Sequence, residues 1–217
     1  VDEMSDITLH ESKQPALLSP KEEAIRNDNY KFAMWLYLAS EVILFGLLIG
    51  GFVVWRVQNP EMVKQFHEAG GLLGKVVVSL NTFLLLTSSW SMVMGLREIQ
   101  RDNVAGLLKW FRITLILGVI FMGVQFYEYS QLAIHGITLD YAGSAPEFAG
   151  LGVRFYSATF FHGLHVFVGV FWCWLVIQRA KNGAFSSKRT TGVEVFGLYW
   201  HFVDVVWILI FTLFYLV

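Results

Sequence analysis

The chain has 217 residues, of which 55% are hydrophobic, 16% aromatic and 15% charged, with a mean hydropathy of +0.54. Soluble domains average about 25% charge, so this composition points to a membrane protein. A formal net charge of −1, with no basic run interleaved with aromatic residues, gives no reason to expect a nucleic-acid partner. The single cysteine, Cys173, lies between Trp172 and Trp174. It has no internal disulfide partner and reads as packing.

Residues 1–32 are polar and mixed in charge, with Pro15 and Pro20, and read as a soluble N-terminal tail. A spanning helix needs about 20 mainly apolar residues, and five segments meet this requirement, at approximately 33–55, 76–96, 110–132, 155–178 and 195–217. The predicted fold is therefore all-α, a bundle of five transmembrane helices with no separate soluble domain. Trp35, Trp55, Trp110, Tyr127, Tyr129, Tyr156, Tyr199 and Trp200 fall near segment ends, as interfacial aromatic belts do. Gly46, Gly50, Gly118, Gly123, Gly163 and Gly169 punctuate the spans and read as general helix packing.

Lys and Arg residues set the expected orientation. Of the 16 in the chain, only Arg56, Lys64, Lys75 and Arg154 fall on the side opposite the tail. The positive-inside rule then puts the N-terminus in the cytoplasm and the C-terminus outside. Counting depth from the span ends puts Glu41, His201 and Asp204 in one layer on the cytoplasmic side. The same count puts Gln125, Glu128, His162 and His165 in a second layer nearer the outside.

The fifth span holds the most conspicuous polar pair. His201 and Asp204 interrupt an otherwise apolar run, where a charged Asp costs roughly 2.5 to 3.5 kcal/mol on insertion scales. At a spacing of three residues they project from one helix face, toward other helices, and read as a buried hydrogen-bonding pair. Glu41 is open to three readings: a proton relay, a counter-charge for a buried His, or a neutral acid with one hydrogen bond. His162 and His165 have a spacing that serves a metal when neighbouring helices add carboxylates, but only Glu128 lies near that depth. Satisfied, hydrogen-bonding histidines are the expectation.

Phe161-His-Gly-Leu-His165-Val and Tyr199-Trp-His-Phe-Val-Asp-Val-Val-Trp207 resemble the last two helices of subunit III of haem-copper terminal oxidases. Ser40-Glu41-Val, Leu80-Asn-Thr and Gln125-Phe-Tyr-Glu128-Tyr resemble earlier helices of that family, in the same order, over about residues 33–217. The resemblance implies a supporting, non-catalytic subunit of a proton-pumping oxidase in a bacterial cytoplasmic membrane, packed beside catalytic subunit I and other oxidase subunits. It further implies haem and copper on those partners, none on this chain, and bound phospholipid near the proton-uptake side. Glu41 matches the family's buried helix carboxylate, and Arg179 resembles its lipid-phosphate ligand, a role suited to a planar guanidinium. Many family members have seven helices, and the five-helix form is similar to that of many bacterial oxidases. The alternatives are a subunit III-like partner of a nitric oxide reductase, and an independent membrane enzyme or channel using the embedded Glu and His residues.

Overall fold

The computed structural model describes residues 19–62, 64, 71–138 and 150–216. Five helices are each long and apolar enough to cross a membrane: α1 (Pro20–Gln58), α2 (Gly71–Gln100), α3 (Val104–Ile134), α4 (Leu151–Lys181) and α5 (Thr191–Phe211). A π-helical turn, Thr212–Leu216, continues α5.

Helices α1 to α4 outrun at both ends the apolar windows from which they were read, and α5 begins four residues before its own. The segment expected to be tail through residue 32 is already helical at Pro20, because Ser19 and Glu22 form a capping box ahead of a proline at the first helical turn. At 39 residues α1 measures about 58 Å, nearly twice the hydrocarbon thickness of roughly 30 Å. Hydropathy marks the part of a helix that needs lipid, whereas backbone hydrogen bonding continues into polar surroundings. The first 18 residues of the expected tail lie outside the described residues.

Helices α2, α3, α4 and α5 close a ring, each packing on the next and α5 returning to α2. Helix α1 packs on the outside of that ring, against α4 and α5. Its buried residues Leu38, Phe45, Ile49 and Phe52 recur at intervals of seven, four and three, which draws a single narrow stripe along one face. Ile43, Leu47, Val54 and Val57 on its other faces are exposed.

Trp200 is the hub of the ring. It is fully buried, its Nε1–H donates to Ser88 Oγ on α2 at 3.0 Å, and its ring occupies the space left by Gly118 on α3 and Gly169 on α4. A Cβ at Gly169 would lie 2.6 Å from the indole, and one at Gly118 would lie 3.1 Å from it. These two glycines admit an aromatic ring, whereas a Cβ at Gly46, Gly50, Gly123 or Gly163 would meet nothing within 4 Å.

At the end of the bundle where α2 turns into α3 and α4 into α5, the two loops are bolted together. Asp102, in the left-handed region at φ 57°, accepts the Ser187 backbone N–H and hydroxyl, both at 2.6 Å. These two bonds hold the exposed Asp102 carboxyl below the usual carboxylate range.

Candidate functional site

The embedded polar residues fall into three neighbourhoods. At the seam where α1 meets the ring, Glu41 Oε2 lies 3.4 Å from His165 Nε2, and the Tyr37 hydroxyl is also 3.4 Å from that nitrogen. His165 Nδ1 sits 2.9 Å from the Phe161 carbonyl, one helical turn earlier. A carbonyl only accepts, so Nδ1 carries a proton and Nε2 is the nitrogen left to face Glu41. Phe45, Phe161 and Tyr199 surround the imidazole with ring centroids 5.3, 4.9 and 6.3 Å away, and Tyr199 donates its hydroxyl to the His165 carbonyl at 2.9 Å. The structure places Glu41 beside a buried histidine, and Oε2 itself completes no hydrogen bond.

Glu41 lies level with the turn of α5 that carries His201, since Tyr37 stacks on Tyr199 and Phe45 meets Phe202 on either side of it; His165, expected in the other layer, lies at that level too. Glu41 lies 21 residues from Pro20 and 17 from Gln58, and His165 lies 14 from Leu151 and 16 from Lys181. Both are near mid-helix, so they meet. Depth counted from the shorter apolar windows had separated them.

The second neighbourhood is the face between α2 and α5. His201 Nδ1 is 2.6 Å from Ser89 Oγ, and Trp207 donates Nε1–H to Thr82 Oγ1 at 2.9 Å. Ser91 and Thr114 share a hydrogen bond of 2.7 Å. Asp204 is buried beside Ser89, and neither carboxyl oxygen completes a hydrogen bond. The expected His201–Asp204 pair is thus replaced by separate approaches of both residues to α2.

The third neighbourhood lies toward the other end of α3. Gln125 Nε2 donates to Glu128 Oε2 at 3.0 Å, as their common depth suggests. His162 does not join them through a hydrogen bond. Its ring stacks on Trp207 at 5.0 Å and meets the Phe121 ring at 6.1 Å, and neither ring nitrogen has a hydrogen-bond partner. His165 is thus hydrogen-bonded through Nδ1, whereas His162 is held by ring contacts alone. The two imidazoles turn to different neighbours. Among the described residues no group of three His, Cys, Asp or Glu could hold a metal ion.

Arg179 is exposed at the C-terminal turn of α4, where it lines a cavity of about 700 Å³ with Arg26, Arg189, Tyr30, Trp172 and Phe185. The hydroxyl partners Ser88, Ser89, Thr82 and Tyr37 carry no special signal in the sequence. Their only legible feature is that α2 places Thr82 and Ser89 seven residues apart, on one face.

The sequence profile of the family described as cytochrome c oxidase subunit III matches residues 13–217. That match covers all five helices. The chain belongs to the cytochrome c oxidase subunit III family. It is 37% identical over 182 residues to cytochrome c oxidase subunit 3 of Thermostichus vulcanus, covering 83% of this chain and 84% of that protein. It is 40% identical over 182 residues to the probable cytochrome c oxidase subunit 3 of Mycobacterium leprae, covering 84% and 85%. Quinol oxidase subunit 3 of Bacillus subtilis is 32% identical over 187 residues, covering 84% of each chain. The family contains partners of two kinds of oxidase, and membership makes this chain a multi-pass membrane component of an oxidase complex.

Proposed function

We propose that this subunit III supports the catalytic subunit I of a haem-copper oxidase from the side, carries no redox centre itself, and retains a phospholipid at the cavity around Arg179. The reading sets haem and copper on the partner subunits. It also sets the N-terminus on the cytoplasmic side of a bacterial inner membrane, the side of proton uptake, because most Lys and Arg residues lie there.

The cavity is the observation that carries the lipid assignment. Three guanidinium-bearing residues, Arg26, Arg179 and Arg189, share it with one carboxylate, Glu23, and Arg26 is 3.4 Å from that carboxylate. The surplus positive charge suits a phosphate. Tyr30, Met34, Trp172, Leu175, Val176 and Phe185 add the apolar wall that an acyl chain requires. Position also supports the reading, since the cavity lies where α1 meets α4 and the start of α5, at the bundle end nearest the Asp102–Ser187 clamp.

Native mass spectrometry of the purified oxidase tests this. Arg179→Ala is expected to lower the fraction of complex that retains phospholipid, with the haem spectrum unchanged. Full lipid retention by that variant would contradict the assignment.

A further inference from the structure

The outer surfaces of the helices are not alike. On α1, Ile43, Leu47 and Val54 are exposed at intervals of four and seven, which draws an aliphatic stripe along one face. On α4, Phe160, Leu164, Phe167 and Phe171 are exposed at intervals of four, three and four, again an apolar stripe. Both suit acyl chains. On α5, Val205 and Ile208 are exposed, and the residue one turn earlier on their stripe is the half-buried His201. His201 meets Ser89 of α2, and its neighbour Phe202 meets Phe45 of α1, so this stripe opens between α1 and α2.

His201 stands ten residues from Thr191 and ten from Phe211, about 15 Å from either end of α5. That is the depth of the acyl chains, where phospholipid carries no hydrogen-bonding group. Ionisable side chains at this depth turn to the bundle interior or to a polar partner, because hydrocarbon cannot solvate them. The exposed hydroxyls meet the same demand locally: Ser40, Thr87 and Ser130 each donate to a carbonyl of their own helix, at 2.6, 2.8 and 2.6 Å. An imidazole has two nitrogens, and His201 satisfies one. Its Nδ1 is 2.6 Å from Ser89 Oγ, whereas its Nε2 has no bond among the described residues. Ser89 also lies beside the buried Asp204 and has a single proton to give. Turned to Asp204, it accepts from Nδ1 and leaves Nε2 an acceptor; turned to Nδ1, it leaves Nε2 a donor. In both cases Nε2 keeps an unmet hydrogen bond that lipid cannot supply.

We infer that the surface of α5 between α1 and α2, marked by His201, Val205 and Ile208, is where a transmembrane helix of the catalytic subunit docks, with a Ser, Thr, Asn or Gln side chain bonded to His201 Nε2. These four side chains both donate and accept, so they complement either form of the imidazole. The inference rests on the supporting role proposed above and adds the face through which that role is exercised. Helices in lipid have no hydrophobic drive to associate, and van der Waals packing joined to an interhelical hydrogen bond holds them. Val205 and Ile208 supply the packing surface, and His201 supplies the bond that fixes the partner's register.

Photo-cross-linking of the intact oxidase tests this. A benzophenone amino acid placed at Val205 is expected to cross-link to the catalytic subunit, whereas the same amino acid placed at Leu47 on α1 or Leu164 on α4 is expected to label lipid. A cross-link from position 205 to lipid, to a second copy of this chain or to another subunit would overturn the docking face, and the supporting role would stand as long as the haem-bearing subunit co-purifies with this chain. Absence of that subunit from the purified complex would overturn both. His201→Leu isolates the hydrogen bond: the fraction of catalytic subunit that keeps this chain through detergent washing should fall severalfold. His201→Asn, which can still donate and accept, should restore most of it. Equal retention in the His201→Leu and unaltered complexes would overturn the hydrogen bond.

Discussion

The α1 seam and the four-helix ring solve the same packing problem in different chemistry. Along the seam, α1 is fastened by charged groups at three levels: Lys31 to Glu194 at 2.6 Å, Glu41 to His165 at 3.4 Å, and Arg56 to the Leu213 carbonyl at 2.8 Å. Inside the ring, α5 is fastened to α2 by indoles on hydroxyls, Trp200 on Ser88 and Trp207 on Thr82. The difference follows from contact area. The ring helices bury large aromatic rings such as Trp200 and Trp207 between them, so neutral bonds suffice to set register. Helix α1 has one narrow stripe and no hydrophobic drive from lipid, which is as apolar as its own side chains, so polar contacts must set its position. Register at the seam is thus exposed to changes in charge, and register in the ring to changes in volume.

The largest effect should come from volume. Trp200→Ala removes the ring that fills the gap between Gly118 and Gly169 and strands Ser88. A loss of about 3–5 kcal/mol is expected, read as failure to recover assembled complex or as a large fall in its unfolding midpoint. Trp200→Phe keeps most of the volume and should recover most of the loss.

A smaller effect is expected at the seam. His165→Leu leaves the Glu41 carboxyl facing an apolar side chain, and a cost of about 1–3 kcal/mol should appear as loosened docking of α1. Glu41→Leu combined with His165→Leu should be less damaging than the two single changes added together. A double-mutant cycle on the unfolding midpoint measures this coupling, expected to be about 0.5–3 kcal/mol. Strict additivity would mean that the 3.4 Å approach carries no energy.

Ser89→Ala removes one hydroxyl from His201 and Asp204 without changing the ring's volume. The expected loss is about 0.5–1.5 kcal/mol, below that of the seam, measured by the same unfolding midpoint.

The smallest effect is electrostatic and local. Because the folded-state Asp102 carboxyl is held below its ordinary value, the clamp to Ser187 contributes fully above the unfolded-state pKa. It is lost as pH falls through the lower, folded-state value. A spin label on the loop between α4 and α5 should gain mobility on acidification across that window. Asp102→Asn should flatten the response.

What the sequence disclosed follows the same division. Five spans were legible because the cost of exposing polar groups to lipid dictates long apolar runs. The start of α1 was missed, although Ser19, Pro20 and Glu22 form a capping signal, because hydropathy marks this helix only from residue 33. The seam was hidden because Glu41 and His165 are assigned to a common depth only when the true helix ends are known, and the apolar windows miss the start of α1 by 13 residues and the ends of α4 by four and three. The ring's fastenings were hidden for another reason. Ser88, Ser89 and Thr82 are ordinary residues of a membrane helix, and only the inward face of α5 gives them meaning. Asp204 is buried and His201 half-buried, and the hydroxyl both approach lies across the helix interface instead of along the helix.

The central claim is that the embedded carboxylate of this subunit holds helices together and does not conduct the chemistry. Oxygen consumption by the fully assembled, purified oxidase carrying Glu41→Gln, followed from the first turnovers onward, tests it most directly. The expected result is an unchanged haem spectrum and an unchanged initial rate, with activity declining sooner than in the unaltered complex. Immediate loss of oxygen reduction in a complex with its full haem and copper content would contradict the account.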